Sequence, residues 1–400
     1  ECRGPDAKCF IERKYDSYNL NFYFNRLSIL DLSAEANQPM YSKEFSTMIM
    51  FNGEIYNHAE LRKNLQNQGL KFYTSHSDTE TLLVGLSHYG IKFIDKLRGQ
   101  FAIVFFDERK SELSLIRDRL GQKPLYYFLD NENIHFGSSL LSLLKIIKEY
   151  KIDENQLYSY LDYGIVASPF TLFKNIYKLM PSEILKVNLQ KNNFSATKLN
   201  YWNAENFLDN KPFSNEEFFD IFSESVNLRT NADVPVANFL SGGIDSTSIV
   251  KNLVDNEKKV NSFSIYINEN KYDESIYIKE VVSKYNLEHK STTVSADISI
   301  DEINQALKSL DEPYSDPSIV PTYILSSEIS QYYKVAISGD GGDELLGGYE
   351  RTMISLQKTG FFRNLFSKSY NLYPAILGTG NKLLSNSNNL EIKYRSFLED

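Results

Sequence analysis

Short apolar runs broken by turn residues dominate the first half of the chain. Residues 21–30, 47–51, 101–107, 112–117, 124–129 and 134–137 are rich in β-branched and aromatic side chains, which predicts strands. The spacing around Glu108–Ser111 predicts a hairpin, and helices are expected over 58–68, 79–89 and 140–150. Runs of strands with segregated helices predict a layered α+β domain. From about residue 215 the pattern alternates instead. Helix 215–228, strand 234–240, helix 246–256, strand 260–267, helix 274–285, strand 289–294, helices 300–309 and 321–332, and strand 334–338 follow in order. That alternation predicts an α/β doubly wound parallel sheet. The stretch 188–215, rich in Asn and Lys with Ser and Pro, marks the boundary, so the expected domains are 1–195 and 210–400.

Composition narrows the class. A 400-residue chain has room for two cores, and 42% hydrophobic with 24% charged residues is ordinary for a globular protein. The net charge of -9 argues against a nucleic-acid surface, which wants a basic stripe. No run approaches the roughly 18 apolar residues that membrane insertion needs. No signal peptide is visible, and Cys2 and Cys9 fit a reduced, cytoplasmic protein better than a disulfide scaffold. The chain opens on Glu1 rather than Met, in mid-motif, and stops at Asp400 without an obvious terminus. Truncation is therefore expected at both ends.

Two glycine turns carry the chemistry of the second half. Leu240-Ser241-Gly242-Gly243-Ile244-Asp245-Ser246 and Ser338-Gly339-Asp340-Gly341-Gly342-Asp343-Glu344 each follow an apolar strand and precede a helix. Unpaired N–H groups and the helix dipole make such a turn an anion cradle. No Lys follows a G-x-x-x-x-G spacing, so the first turn is not a Walker A loop. Instead it resembles the PP-loop of ATP pyrophosphatases. Gly242 and Gly243 admit phosphate oxygens, Ser241 and Ser246 donate, and Asp245 is a candidate Mg²⁺ ligand. Plain helix capping by Asp245 or Ser246 is the simpler alternative. The second turn crowds Asp340, Asp343 and Glu344, which is costly unless a cation or a cationic ligand neutralises them.

In the first half, Asn52 and Gly53 can supply a two-donor oxyanion hole, or simply a strand-to-helix turn. Ser77-Asp78-Thr79-Glu80 reads as a capping box. The ensemble is more specific. Arg3-Gly4-Pro5-Asp6, Arg26-Leu27-Ser28-Ile29, Asn52-Gly53-Glu54-Ile55-Tyr56-Asn57, Asp78-Thr79-Glu80 and the run from Arg117 to Tyr127 occur in order before the two glycine turns. Together they closely resemble the glutamine-hydrolysing asparagine synthetase family over nearly the whole chain.

That resemblance implies an N-terminal class II glutaminase of αββα Ntn-hydrolase fold. A PP-loop synthetase domain, of the adenine nucleotide alpha hydrolase-like kind, would follow it, with ammonia passing between the sites. It implies ATP, Mg²⁺, glutamine, and aspartate or another carboxylate as partners, and leaves a homodimer open. Arg26, with the Leu27-Ser28-Ile29 backbone, would hold the glutamine α-carboxylate. Asn52 and Gly53 would form the oxyanion hole, and Glu54 and Asp78 would hold the α-amino end. Leu240 and Ile265 would contact adenine, with Ser338 and Gly339 near the nucleotide. Asp245 and Asp343 would ligate Mg²⁺, Asp340 would assist ammonia addition, and Asp343 and Glu344 would meet the acceptor's ammonium.

Two departures from the family pattern stand out. Cys2 sits where the family usually has His, so the nucleophilic cysteine is expected upstream of residue 1, and a later catalytic lysine after Asp400. The second turn and Asp316-Pro317-Ser318-Ile319-Val320-Pro321-Thr322 resemble a bacterial subgroup that includes enzymes amidating other carboxylates, such as sugar acids in surface-polysaccharide pathways. No basic clamp for the acceptor's α-carboxylate is evident in 316–322, which leaves Arg351 or a later residue for that task.

Overall fold

The computed structural model describes residues 3–190, 194–207, 214–267, 274–294 and 298–349. Cys2 and Arg351 lie outside the described residues. In the first half, β1 (Ala7–Lys14) and β2 (Asn19–Arg26) form a hairpin. Strands β3 (Met40–Ser42), β4 (Thr47–Ile55), β5 (Gly99–Asp107) and β6 (Glu112–Arg117) belong to a six-stranded antiparallel sheet. A smaller sheet holds β7 (Tyr126–Leu129), β8 (Ile134–Gly137) and β9 (Ile176–Lys178). The six-stranded sheet ends with β10 (Glu183–Asn188) and β11 (Ser195–Asn200), in the order β11-β10-β6-β5-β4-β3.

Alternation along the central strands builds four layers. Ile49, Phe51, Phe101 and Ile103 face α1 (His58–Asn67) and α2 (Asp78–Tyr89) in one core. Met48, Met50, Ala102 and Val104 face the other way, onto Leu20, Phe22 and Tyr127 of the smaller sheets. Tyr126, one residue out of phase with Tyr127, packs outward against Leu140 and Leu143 of α3 (Leu140–Ile147). The period of two along each strand therefore separates helix–sheet from sheet–sheet contacts. The result is the expected αββα layering. Helix α4 (Glu154–Tyr163) follows, capped by the Asp153 side chain.

The second half is the expected parallel sheet, of β12 (Val236–Phe239), β13 (Asn261–Ile267), β14 (Glu288–Val294) and β15 (Val335–Ile337). Its order is β14-β13-β12-β15, with every pairing parallel. Helices α5 (Asn215–Arg229), α6 (Ile244–Asp255) and α7 (Ser275–Tyr285) pack on one face through Val226, Val250 and Ile278. After α8 (Ile300–Lys308), α9 (Ile319–Ser330) covers the other face through Ile329 against Ala237 and Phe263. The sheet is thus doubly wound. The chain leaves β12 toward β13 on one side and later returns to β15 on the other, so the switch point lies between the carboxyl ends of β12 and β15.

Some boundaries moved. The strand expected over 21–30 stops at Arg26, because the Arg26 guanidinium draws the following loop around itself. Strands β3, β9, β10 and β11 carry no expectation from the sequence pattern, whereas a strand around Cys9 is expected and is β1. β11 falls inside the stretch expected as boundary, and all six of its residues are exposed, which hides any core-facing period.

Candidate active sites

Helix α6 begins at the carboxyl end of β12, with Gly243 as its N-cap and no side chain capping it. Ser246 spends its hydroxyl within the turn, 3.2 Å from the Ser241 N–H and from the Gly243 carbonyl and 3.0 Å from Ser241 Oγ. The plain capping alternative therefore fails for both Asp245 and Ser246. Gly242 has φ +80°, and a Cβ there would lie 2.9 Å from Tyr277 Cβ, so glycine is required for turn and packing alike. Leu240 is buried and its carbonyl accepts the Ser264 hydroxyl. Ile265 lies on the neighbouring β13, half-buried.

The second turn closes on the first. A Cβ on Gly339 would lie 2.9 Å from Asp245 Cβ, and one on Gly342 only 2.5 Å from Asp245 Oδ2. Both turns thus meet at Asp245, beyond the switch point. Burial, then Asp343, then Glu344 push the Asp245 carboxyl above its ordinary value. Asp340, within the second turn, accepts the Ser338 hydroxyl on Oδ2 at 2.9 Å, and Glu344 accepts the Tyr349 hydroxyl at 2.7 Å. Among the described residues no set of three metal-ligating side chains clusters. Two nearby carboxylates still suit Mg²⁺, which takes one or two carboxylates and fills its octahedron with phosphate oxygens and water. The residues present fit that ion.

In the first half the structure brings Arg26, Glu54 and Asp78 together. Asp78 begins α2 and is pushed up to about 6 by burial, against hydrogen bonds from the Ile55 and Thr79 N–H groups. Glu54 is pushed up to about 7 by burial and by Asp78, while Lys123 and Arg229 oppose the rise. Buried Arg26 donates to the carbonyls of Ser33 at 2.8 Å, Leu30 at 3.1 Å and Asp31 at 2.5 Å, and to Asn37 Oδ1 at 3.1 Å. It therefore moulds the loop that carries Leu27, Ser28 and Ile29. The expected capping box is only half formed. Ser77 accepts the Glu80 N–H, but the Glu80 carboxylate turns to Arg62, Thr74 and the Tyr73 N–H.

Asn52 and Gly53 do not form a turn. They pair with Ala102 and Phe101 inside the β4–β5 ladder. Gly53 has φ +152°, and a Cβ there would fall 2.0 Å from the Gln100 carbonyl, so the close approach of β5 rather than a chain reversal demands glycine. Among the described residues none takes a hydrogen bond from the Asn52 amide, which leaves it free to donate. Lys123, part of the run from Arg117 to Tyr127, is a half-buried cation near Glu54. Burial and the nearby Arg3 lower its ammonium while Glu54 and Asp118 oppose that. Its place in the run from Arg117 to Tyr127 is the only sequence signal for it.

A family model described as "Glutamine amidotransferase domain" matches residues 1–202, and one described as "Asparagine synthase" matches residues 217–391. The "Putative asparagine synthetase [glutamine-hydrolyzing] 2" of Methanocaldococcus jannaschii is 32% identical over 386 residues, covering 91% of this chain and 73% of that protein. The chain belongs to the glutamine-hydrolysing asparagine synthetase family. Another member, "Asparagine synthetase [glutamine-hydrolyzing] 1" of Bacillus subtilis, is 34% identical over 353 residues. That match takes in 87% of this chain, which spans about half of the relative's length, 54%. Among solved structures, the glutamine phosphoribosylpyrophosphate amidotransferase from B. subtilis is similar at 14% identity and TM-score 0.32, covering 76% of this chain and 74% of that one. Among the described residues no helix is long and apolar enough to cross a membrane.

Proposed function

We propose that this chain belongs to an asparagine synthase that takes its nitrogen from glutamine and activates aspartate with ATP. Support comes first from the convergence of both glycine turns on Asp245 beyond the switch point, where a nucleotide's phosphates would be cradled. Residues through about 195–202 make the glutaminase half and those from about 210–217 the synthetase half.

In the first half, Arg26 and the Leu27-Ser28-Ile29 backbone receive the glutamine α-carboxylate. Glu54 and Asp78, once ionised, receive its ammonium. The Asn52 amide and Gly53 N–H stabilise the oxyanion formed when the side-chain amide is attacked. Hydrolysis there yields glutamate and ammonia.

In the second half, Leu240 and Ile265 flank adenine, while Ser241, Gly242, Gly243, Ser246, Ser338 and Gly339 line the phosphates. The aspartate β-carboxylate attacks the α-phosphorus of ATP, the α–β P–O bond breaks and pyrophosphate leaves. Activation is needed because a carboxylate is a poor electrophile, and AMP is a good leaving group. Ammonia then adds to the acyl carbon, Asp340 accepts a proton from the nitrogen, and AMP departs to give asparagine. Mg²⁺ held by Asp245 and Asp343 would offset the charge of the departing pyrophosphate. Asp343 and Glu344 also face the acceptor's α-ammonium, a buried charge that needs partners.

ATP–pyrophosphate exchange tests this, with aspartate compared against a panel of uronic and other small acids. Exchange should require aspartate. Exchange driven by a sugar acid and not by aspartate would overturn the acceptor while sparing the ligase chemistry.

A further inference from the structure

The loop after Arg26 is held from outside its own domain. Asp233, three residues before β12, takes the Asp31 N–H on Oδ2 at 2.7 Å and lies 2.5 Å from His76 Nε2 through the same oxygen. Its own N–H donates to the Ile29 carbonyl at 3.1 Å. A second tether runs through Asp6, whose Oδ2 accepts the Ser28 N–H at 2.7 Å and the Lys334 ammonium at 2.7 Å. Lys334 immediately precedes β15. Strands β12 and β15 are paired neighbours, Val236 opposite Val335. Their amino ends thus grip residues 28–31, and their carboxyl ends carry the two glycine turns.

We infer that Asp233 and Lys334 are positioning residues for the glutamine α-carboxylate loop, supplied by the synthetase half, and that they link glutamine affinity to the state of the nucleotide turns. The inference rests on the reading of Arg26–Ile29 as the glutamine site. The charges involved are partly exposed, 33% for the Asp233 side chain and 39% for that of Lys334, so bare ion-pair attraction is weak. Their effect comes instead from fixing three main-chain groups of one short loop. Strands only a few residues long, hydrogen-bonded side by side, make a stiff connection between the two ends. Any coupling must be reciprocal, glutamine altering ATP affinity by the same factor.

The test is made in the full-length gene product with Asp233→Ala, Asp233→Asn and Lys334→Met. Glutamine Kd is read by titration calorimetry, and hydrogen exchange is followed in the peptide spanning residues 27–31. Asp233→Ala should weaken glutamine by about tenfold, the loss of a hydrogen bond to a charged group. It should also speed exchange in the loop, with Lys334→Met showing the smaller effect. Asp233→Asn keeps an acceptor for Asp31 and should restore most of the affinity. Ammonia-driven pyrophosphate release should be unchanged in all three. Saturating ATP with Mg²⁺ should shift the glutamine Kd of wild type and not of Asp233→Ala.

Wild-type affinity in both Asp233→Ala and Lys334→Met overturns the inference. A matching fall in ammonia-driven release overturns it too, since the residues would then only hold the second half folded. An ATP effect that is absent from wild type, or equal in wild type and variant, removes the link between sites. If Asp233→Ala does not fold, Lys334→Met carries the comparison, with Asp233→Asn as its control. A wild type that binds glutamine but releases no pyrophosphate with ammonia and aspartate refutes the proposed function and leaves the tether result standing. One that binds no glutamine overturns both.

Discussion

Glu54 and Asp78 are two carboxyls in one buried site, and among the described residues no cation forms a salt bridge to either. Both hold protons to higher pH than in an unfolded chain. Their contribution to stability is therefore complete below the ordinary values of 4.5 and 3.8 and is lost as pH rises through about 7 and about 6. In the proposed glutamine site the ammonium needs both ionised, so binding there would expel whatever protons remain. Glutamine affinity should rise between pH 5 and 7, by up to about tenfold per pH unit for each proton released. Titration calorimetry in buffers of different ionisation enthalpy counts those protons. Glu54→Gln should weaken binding and flatten the upper part of the rise, and an unflattened profile would remove Glu54 from the ammonium site. Asp245 makes the complementary case. Asp245→Asn should slow ATP-to-AMP turnover by about a hundredfold or more, several kcal/mol of charge stabilisation, while glutamine binding is retained. Pyrophosphate release with ammonia as donor is the assay, and near-normal rates would return Asp245 to a structural role.

At the scale of elements, the turn after β6 depends on one buried carboxylate. Asp118 accepts the N–H groups of Phe101 at 3.2 Å, Leu120 at 3.1 Å, and Gln122 and Lys123 each at 3.0 Å. Arg117 closes the same loop on the carbonyls of Gly121, Lys123 and Leu179. Asp118→Ala strands the buried Phe101 N–H and three part-buried donors and should cost about 2–3 kcal/mol. The chain's one tryptophan, Trp202, offers its carbonyl to Ser182 beside this loop, so its fluorescence reports unfolding of the first half. A loss under about 1 kcal/mol would mean water replaces the carboxylate. The Arg117–Tyr127 run was legible as a motif, but its mechanics were not, because a carboxylate gathering N–H groups leaves no periodic trace. The layered α+β half and the parallel sheet are legible because their strands alternate or run apolar, while the αββα order follows only from the family resemblance. β1 and β11 lack that signal, since one alternates only between half-buried and exposed and the other is exposed throughout. Asn52-Gly53 misled because a glycine forced by a close neighbouring strand spells the same dipeptide as a turn.

For the whole molecule, the second grip between the halves lies far along the chain from Asp233 and is more buried. Lys178 of β9 meets Glu312 at 2.6 Å, with side-chain exposures of only 16% and 11%. Each partner is further held, Lys178 by the Val166 carbonyl and Glu312 by the Leu172 N–H. Nearby, Asp311 accepts the Ser139 hydroxyl at the start of α3. These contacts contrast with Arg98–Glu224, also at 2.6 Å but about half exposed on both sides and open to screening. Removing one member of a mostly buried pair leaves a poorly compensated charge and costs about 2–4 kcal/mol, toward the lower end for buried pairs. Glu312→Gln should therefore divide thermal unfolding into two calorimetric transitions, the halves melting apart. Arg98→Met should leave one transition, and 0.5 M salt should not mimic Glu312→Gln in wild type, because the decisive pair is shielded from ions. A single unshifted transition in Glu312→Gln would mean that the other contacts between the halves hold them together without this pair.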